Sequence, residues 1–227
     1  MSWFNILAGS VASGGGGGHA TAPAFVAATS VDAETSSTLN CTTSISAGET
    51  VIVSVGLFLS GGSVSSVIGG GTYTKIASLA NPEDGRLVNE LWACLSASSS
   101  ASTVTVTLSG AANSSATVAR YTGVSSFGNN GTASNSAGVY SDTTHSISLT
   151  MQDTNNRIVS AGIVRPETTA TATVGSFRAN APEFNHGSFD SNLIDNMSSS
   201  AGSLAATYTT SAGVLWNAVA VELRSNP

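Results

Sequence analysis

Three histidines, His19, His145 and His186, are the imidazoles this chain could use for acid–base or nucleophilic chemistry near neutral pH. A serine nucleophile needs such a base beside it and a carboxylate to orient the base. His145 follows Asp142 closely and stands among many serines. It also opens an alternating stretch, and the chain contains no Gly-x-Ser-x-Gly elbow to expose a serine. Paired carboxylates for glycoside hydrolysis are offered by Asp32 with Glu34, Glu83 with Asp84, and Asp190 with Asp195. Each pair reads as part of a solvated loop. Glu183, Asn185, Asp190 and Asp195 have the hard oxygens calcium prefers, but not the spacing of an Asp-x-Asp-x-Asp-Gly loop. The expectation is therefore no catalytic residues, no metal, no cofactor and a non-enzymatic role.

A binding loop is the most serious functional alternative. Residues 179–196 gather Phe184, Asn185, His186, Phe189, Asp190 and Asn192. Rings that stack on a sugar, flanked by amides and a carboxylate, are what a glycan site needs. The competing role for Phe184 and Phe189 is to plug one end of the fold or to face a neighbouring subunit.

The elements that must carry these residues are strands. Thr103 to Leu108 alternates strictly and puts Val104, Val106 and Leu108 on one face. His145 to Met151 alternates likewise, with Ile147, Leu149 and Met151 inward. Thr50 to Leu59 is nearly all apolar, which suits a central strand covered on both faces. Further strands are expected over 24–31, 37–43, 87–95, 116–122, 157–164, 171–178, 203–209 and 214–223. Trp92 and Trp216 fall within them and are assigned to packing. No long stretch repeats every 3.6 residues, so the fold class is all-β: an antiparallel β-sandwich, jelly-roll-like, with little helix. Val51-Ile-Val-Ser-Val-Gly is echoed by Arg157-Ile-Val-Ser-Ala-Gly, as though the chain held two similar halves. The Gly/Asn/Ser stretch 128–138 between them reads as a long surface loop.

Residues 1–24 stand apart as an extended Gly-rich docking arm, leaving 25–227 as a single sandwich domain. Trp3, Phe4, Ile6 and Leu7 form an apolar cluster, and Gly14 to Gly18 follow. Ordering five glycines is entropically costly, so the arm is expected to pack against a neighbouring subunit, with those four residues as anchors.

Composition narrows the partners. Charged residues make up 9 % of the chain, the net charge is −6, and Lys75 is its one lysine. No basic patch can be assembled from that supply, which excludes nucleic acid and an anionic membrane surface as partners. The low charge favours a surface covered by copies of the same chain, a homo-oligomer. Cys41 and Cys94 read as two buried thiols rather than a disulfide framework. The first residues lack the positive start of a signal peptide.

In order, the chain presents Val-Ile-Val-Ser-Val-Gly, Tyr-Thr-Lys-Ile, Leu-Trp-Ala, Thr-Val-Thr-Val-Thr-Leu, Ala-Arg-Tyr-Thr-Gly-Val and Ala-Val-Ala-Val-Glu-Leu. This series, spanning roughly residues 45–224, resembles the β-sandwich modules of tailed-phage virion surface proteins and bacterial surface proteins. The resemblance implies a virion location and a capsid decoration (cement) protein or fibre component. Its partners would be other virion proteins, such as a major capsid protein or fibre subunits. A glycan- or receptor-binding module of a head or tail fibre is the alternative it implies. It carries no catalytic signature to transfer.

Overall fold

The computed structural model describes residues 21–58, 62–82, 85, 87–135, 141–166, 168–180 and 189–225. The expected arm anchors Trp3, Phe4, Ile6 and Leu7 lie outside these residues, as do Phe184, Asn185 and His186. Among the described residues the chain is strands joined by turns and loops, with no helix. The strands are β1 (Ala24–Ile45), β2 (Thr50–Phe58), β3 (Val64–Ile68), β4 (Thr74–Ala80), β5 (Leu87–Cys94), β6 (Ala101–Thr122) and β7 (Val124–Ser134). They continue as β8 (Thr144–Met151), β9 (Arg157–Arg165), β10 (Ala170–Val174), β11 (Ser176–Asn180), β12 (Asp190–Met197), β13 (Gly202–Thr210) and β14 (Leu215–Ser225).

All pairings are antiparallel, and they fall into two matching sets. In the first half the sheet order is β1-β6-β2-β5-β4, with β3 joined to the other segment of β6. In the second half it is β7-β14-β9-β12-β11, with β10-β13-β8 as a separate small sheet. β1 and β6 are long bent strands that serve both sheets of the first half. Their upper and lower segments match β7 with β8, and β13 with β14. The halves are thus alike as whole two-sheet units.

Alternation along the central strands shows how the sheets stack. Val51, Val53, Val55 and Leu57 of β2 pack into a cluster within the first half. Ile52 points the other way, into a cluster shared with Val159, Ala161, Leu193, Val219 and Val221 of the second half. Ile158 and Val164 of β9 face their own small sheet. The result is four layers: small sheet, large sheet, large sheet, small sheet. β2 and β9 are consequently buried at eight of nine positions each. Each fully buried aliphatic side chain is worth about 1.5–3 kcal/mol, so the inner strands carry much of the stability.

Several expectations change. The strands expected over 24–31 and 37–43 are one strand, bent through bulges near Ser36, where Thr35 takes φ 47°. Residues 128–134 are not loop but part of β7, paired with β14. Gly128 is needed there because a Cβ would sit 2.1 Å from the Glu222 carboxylate. The stretch 171–178 is split into β10 and β11 by Gly175, at φ 101°. The echo between the halves also shifts by one residue. Matching the identical Ile-Val-Ser triplets would set Ile52, which faces the other half, on Ile158, which does not. By register, Thr50 pairs with Tyr121 as Arg157 pairs with Leu223, so Val51 corresponds to Ile158. A one-residue slip in a strand exchanges its two faces, which is why sequence identity misleads here. Cys41 and Cys94 are buried free thiols, and burial pushes the Cys41 thiol up to about 12.

The two ends of the stack differ. One end carries tight turns, with left-handed glycines at Gly48, Gly69, Gly70, Gly123, Gly175 and Gly202. At the other end the longer connections leave Phe58, Ala80, Ser134, Arg165 and Asn180. Both halves point the same way, because the Arg165 guanidinium lies over the Phe58 ring at 4.5 Å and Asn81 donates to Asn135.

Candidate functional site

The alternation that puts Ile147, Leu149 and Met151 inward also puts His145 inward, at the long-loop end of the second half. Its cross-strand partner is Tyr208 on β13. The rings lie 4.9 Å apart, and the Trp216 ring of β14 stands 5.2 Å from His145 on the facing sheet. Asn192 of β12 and Tyr208 Oη converge over Gly162, whose absent Cβ would lie 2.6 Å and 2.7 Å from them. Glycine at this point of β9 makes room for both polar groups. Asp190 completes the layer and accepts from the Thr168 amide at 2.9 Å. All of these side chains are buried.

The electrostatics follow from that burial. Burial pulls His145 down to about 4, with Asp142 opposing, so the ring is neutral at pH 7. Thr210 donates its hydroxyl to Ala212 O, so its oxygen is left to accept from His145 Nε2–H at 2.9 Å. A nucleophile would need the reverse, its hydroxyl proton given to the imidazole. Burial raises the Tyr208 phenol above its ordinary value. His145 Nδ1, the Asn192 amide and Trp216 Nε1 have no protein hydrogen-bond partner among the described residues. Most buried polar atoms in proteins are satisfied, so this layer is the chemically least settled part of the interior.

Comparison with protein-family models, with curated proteins and with solved structures finds no match. The residues themselves must carry the reading.

The sequence-derived candidates are dispersed. Phe189 is not on a ligand-facing loop but packs with Leu87, Ile163 and Leu215 between the halves. Asp190 likewise lies inside the second half, because it begins β12 rather than continuing a loop. Asp190 and Asp195 are an odd number of residues apart on one strand and so face opposite sides, which rules them out as a paired acid and base. Asp195 instead joins the halves. Arg157 and Arg178 approach it at 2.8 Å and 2.9 Å, and Tyr121 of the first half donates to it at 3.1 Å. Asn89 reaches Ala161 O at 2.9 Å, and Ser115 meets Ser191 at 2.7 Å, in the same interface. Among the described residues no cluster of His, Cys, Asp or Glu could hold a metal ion.

Tyr208, Trp216 and Thr210 were missed as site residues because strand patterning assigns them to packing. The inward phase of His145 was the signal that could have found them. Glu222 was also legible in part: a carboxylate inside Ala-Val-Ala-Val-Glu-Leu had to find donors. It takes the amides of Asn129 and Gln152 and the side chain of Asn156, at 3.0, 2.8 and 2.6 Å.

Proposed function

We propose that this protein is a non-enzymatic structural subunit of a tailed-phage virion, a capsid decoration or cement protein held in place by residues 1–24. The observation that supports this reading is how the buried charges are used. Asp195, Glu49 and Glu90 are each matched by a cation from a neighbouring strand, and Glu222 by three N–H donors. Such pairing lends geometric specificity to a body and commits these four carboxylates to holding strands together. Numbered within a half, its segments run 1-8-3-6-5 and 2-7-4, so first pairs with last and second with second-to-last. We take each half as jelly-roll-like on that wrapping.

The test is incorporation. Particles assembled with a chain lacking residues 1–24 should be devoid of it, while circular dichroism shows the sandwich folded. Normal incorporation of the truncated chain would remove the reading.

A glycan-binding module is the second reading, favoured by the layer of His145, Tyr208, Trp216 and Asn192 beneath the long-loop end. A glycan array with the purified chain checks it. Binding weakened by Phe184→Ala or Asn185→Ala would favour this reading over the first, and silence at millimolar sugar would end it.

A further inference from the structure

Buried polar atoms that lack a partner mark places where a group from outside the chain completes the bonding. In most of the interior such atoms occur singly. Asn89, Arg120, Arg178 and Asn217 each leave one atom unpaired among the described residues, while another atom of the same side chain bonds a carbonyl or carboxylate. The layer at the long-loop end of the second half is different. His145 Nδ1, both amide atoms of Asn192 and Trp216 Nε1 are all unpaired there among the described residues. These side chains are 0, 1 and 6 % exposed, so bulk water does not reach the atoms.

The side chains that carry them are in continuous contact. From Trp216 the series runs to His145, ring to ring at 5.2 Å, and on to Tyr208 at 4.9 Å. Tyr208 Oη and Asn192 Oδ1 then meet above Gly162, at 2.7 Å and 2.6 Å from the point a Cβ would occupy. The first half has nothing comparable at these addresses. Leu39, Val106 and Val55 stand where the second half has His145, Tyr208 and Gly162. Glu90, at the place of Asn192, has its carboxylate filled by Val64 N, Trp92 Nε1 and Lys75.

The mixture of donors and acceptors decides the class of guest. Thr210 already takes the Nε2–H of His145, so Nδ1 offers a lone pair. Trp216 Nε1–H can only donate, and the Asn192 amide offers both an acceptor and N–H donors. A cation would be opposed by the N–H groups, and an anion by the lone pairs. A neutral group that donates and accepts through one atom suits both, and a hydroxyl oxygen is such a group.

We propose that this layer is a binding site for a neutral hydroxyl-bearing guest, a trapped water or one hydroxyl of a bound sugar, which donates to His145 Nδ1 and accepts from Trp216 Nε1–H, with the Asn192 amide completing its shell. A site that holds water stands apart from both readings above. A site that holds a sugar rests on the glycan-binding one.

The measurement is water–protein cross-relaxation, by rotating-frame NMR on the nitrogen-labelled full-length protein. Trp3→Phe and Trp92→Phe identify the Trp216 indole N–H by elimination. It should show a dipolar cross-peak to water, opposite in sign to proton exchange. The peak should persist in Tyr208→Phe, which removes a neighbouring exchangeable hydroxyl, and should at least halve in His145→Leu. Glucose, galactose and N-acetylglucosamine are then added to about 10 mM, which covers weak millimolar association. A peak that stays assigns the guest as water. A peak that fades with a saturable indole shift assigns it as a sugar hydroxyl. No water cross-peak and no sugar response on the parent protein overturns the proposal, whether or not the variants fold. So does a peak indifferent to His145→Leu in a variant whose circular dichroism is unchanged. A water answer leaves the virion reading untouched and withdraws the support this layer lends to the glycan-binding one.

Discussion

Where the first half sets Leu39 opposite Val106, the second sets His145 opposite Tyr208. On the facing sheets the row Glu90, Val55, Ala116 corresponds to Asn192, Gly162, Ala218. The next row sets Val88, Leu57, Ser114 against Asp190, Val164, Trp216. The same topology thus encloses an aliphatic interior in one half and an aromatic, polar one in the other. In the first half Glu90 is fully used, accepting from Val64 N, Trp92 Nε1 and Lys75. In the second, several polar atoms find no hydrogen-bond partner among the described residues. Strand order tolerates both solutions because it depends on backbone pairing. The side-chain chemistry is free to diverge once the apolar total suffices.

The largest test of this contrast lies at one shared address. Arg120 and Glu49 in the first half correspond to Glu222 and Asn156 in the second. Glu49 binds Arg120 at 3.0 Å, and Arg120 also donates to Ser44 O. Glu49→Ala strands a guanidinium that is largely buried, at an expected cost of about 3–5 kcal/mol. Glu222→Ala leaves only neutral donors, at about 1–3 kcal/mol. Urea unfolding ranks the two, and an inverted order would show the addresses are not equivalent.

Acid should separate the halves next. His145 is held neutral, so the unfolded chain binds the extra proton between pH 6.5 and about 4. Its contribution is complete above pH 6.5 and is lost as pH falls towards 4, by up to about 3 kcal/mol. His145→Leu, which installs the first half's residue, should flatten that part of the profile. A variant that tracks the parent from pH 7 to pH 4 would clear His145 of the role.

Gly162→Val installs the first half's Val55 and drives a side chain into Asn192 and Tyr208. About 1–3 kcal/mol should be lost in a thermal melt. No loss would mean that Asn192 and Tyr208 move aside freely. The smallest effect is expected at Arg224 and Asp153, an ion pair 2.9 Å apart with both side chains well exposed. Arg224→Ala should change stability by less than about 0.5 kcal/mol.

Fold class was legible because alternation is a direct consequence of a pleated strand. Val104, Val106 and Leu108, and Ile147, Leu149 and Met151, are all buried as that pattern requires. The apolar run of β2 signalled burial on both faces. What covers it was not readable, since the covering strands lie a hundred residues away. Gly128 and its neighbours looked like loop because the reason for glycine there is a carboxylate on β14. The polar layer was only partly legible. His145 was weighed as a catalytic base and set aside, whereas Asn192, Tyr208 and Trp216 come to it from three other strands. Phe189 was read as a plug, an interface residue or a ligand ring, and its loop-like neighbours concealed that it stands at the start of β12.

The four-layer stack has a consequence for synthesis. The first half's large sheet is complete once residue 122 has emerged, but its outer face awaits Val159, Leu193, Val219 and Val221. The last two lie on β14, the last strand among the described residues. At typical elongation rates the remaining hundred or so residues take about 5–20 s to appear. For that interval Ile52, Leu91, Ala119 and Tyr121 form an uncovered apolar wall on a nascent chain still tethered to its ribosome. Neighbouring ribosomes on one message would display the same wall at the same time. Such walls on adjacent nascent chains are a route to aggregation that the finished, covered body does not offer.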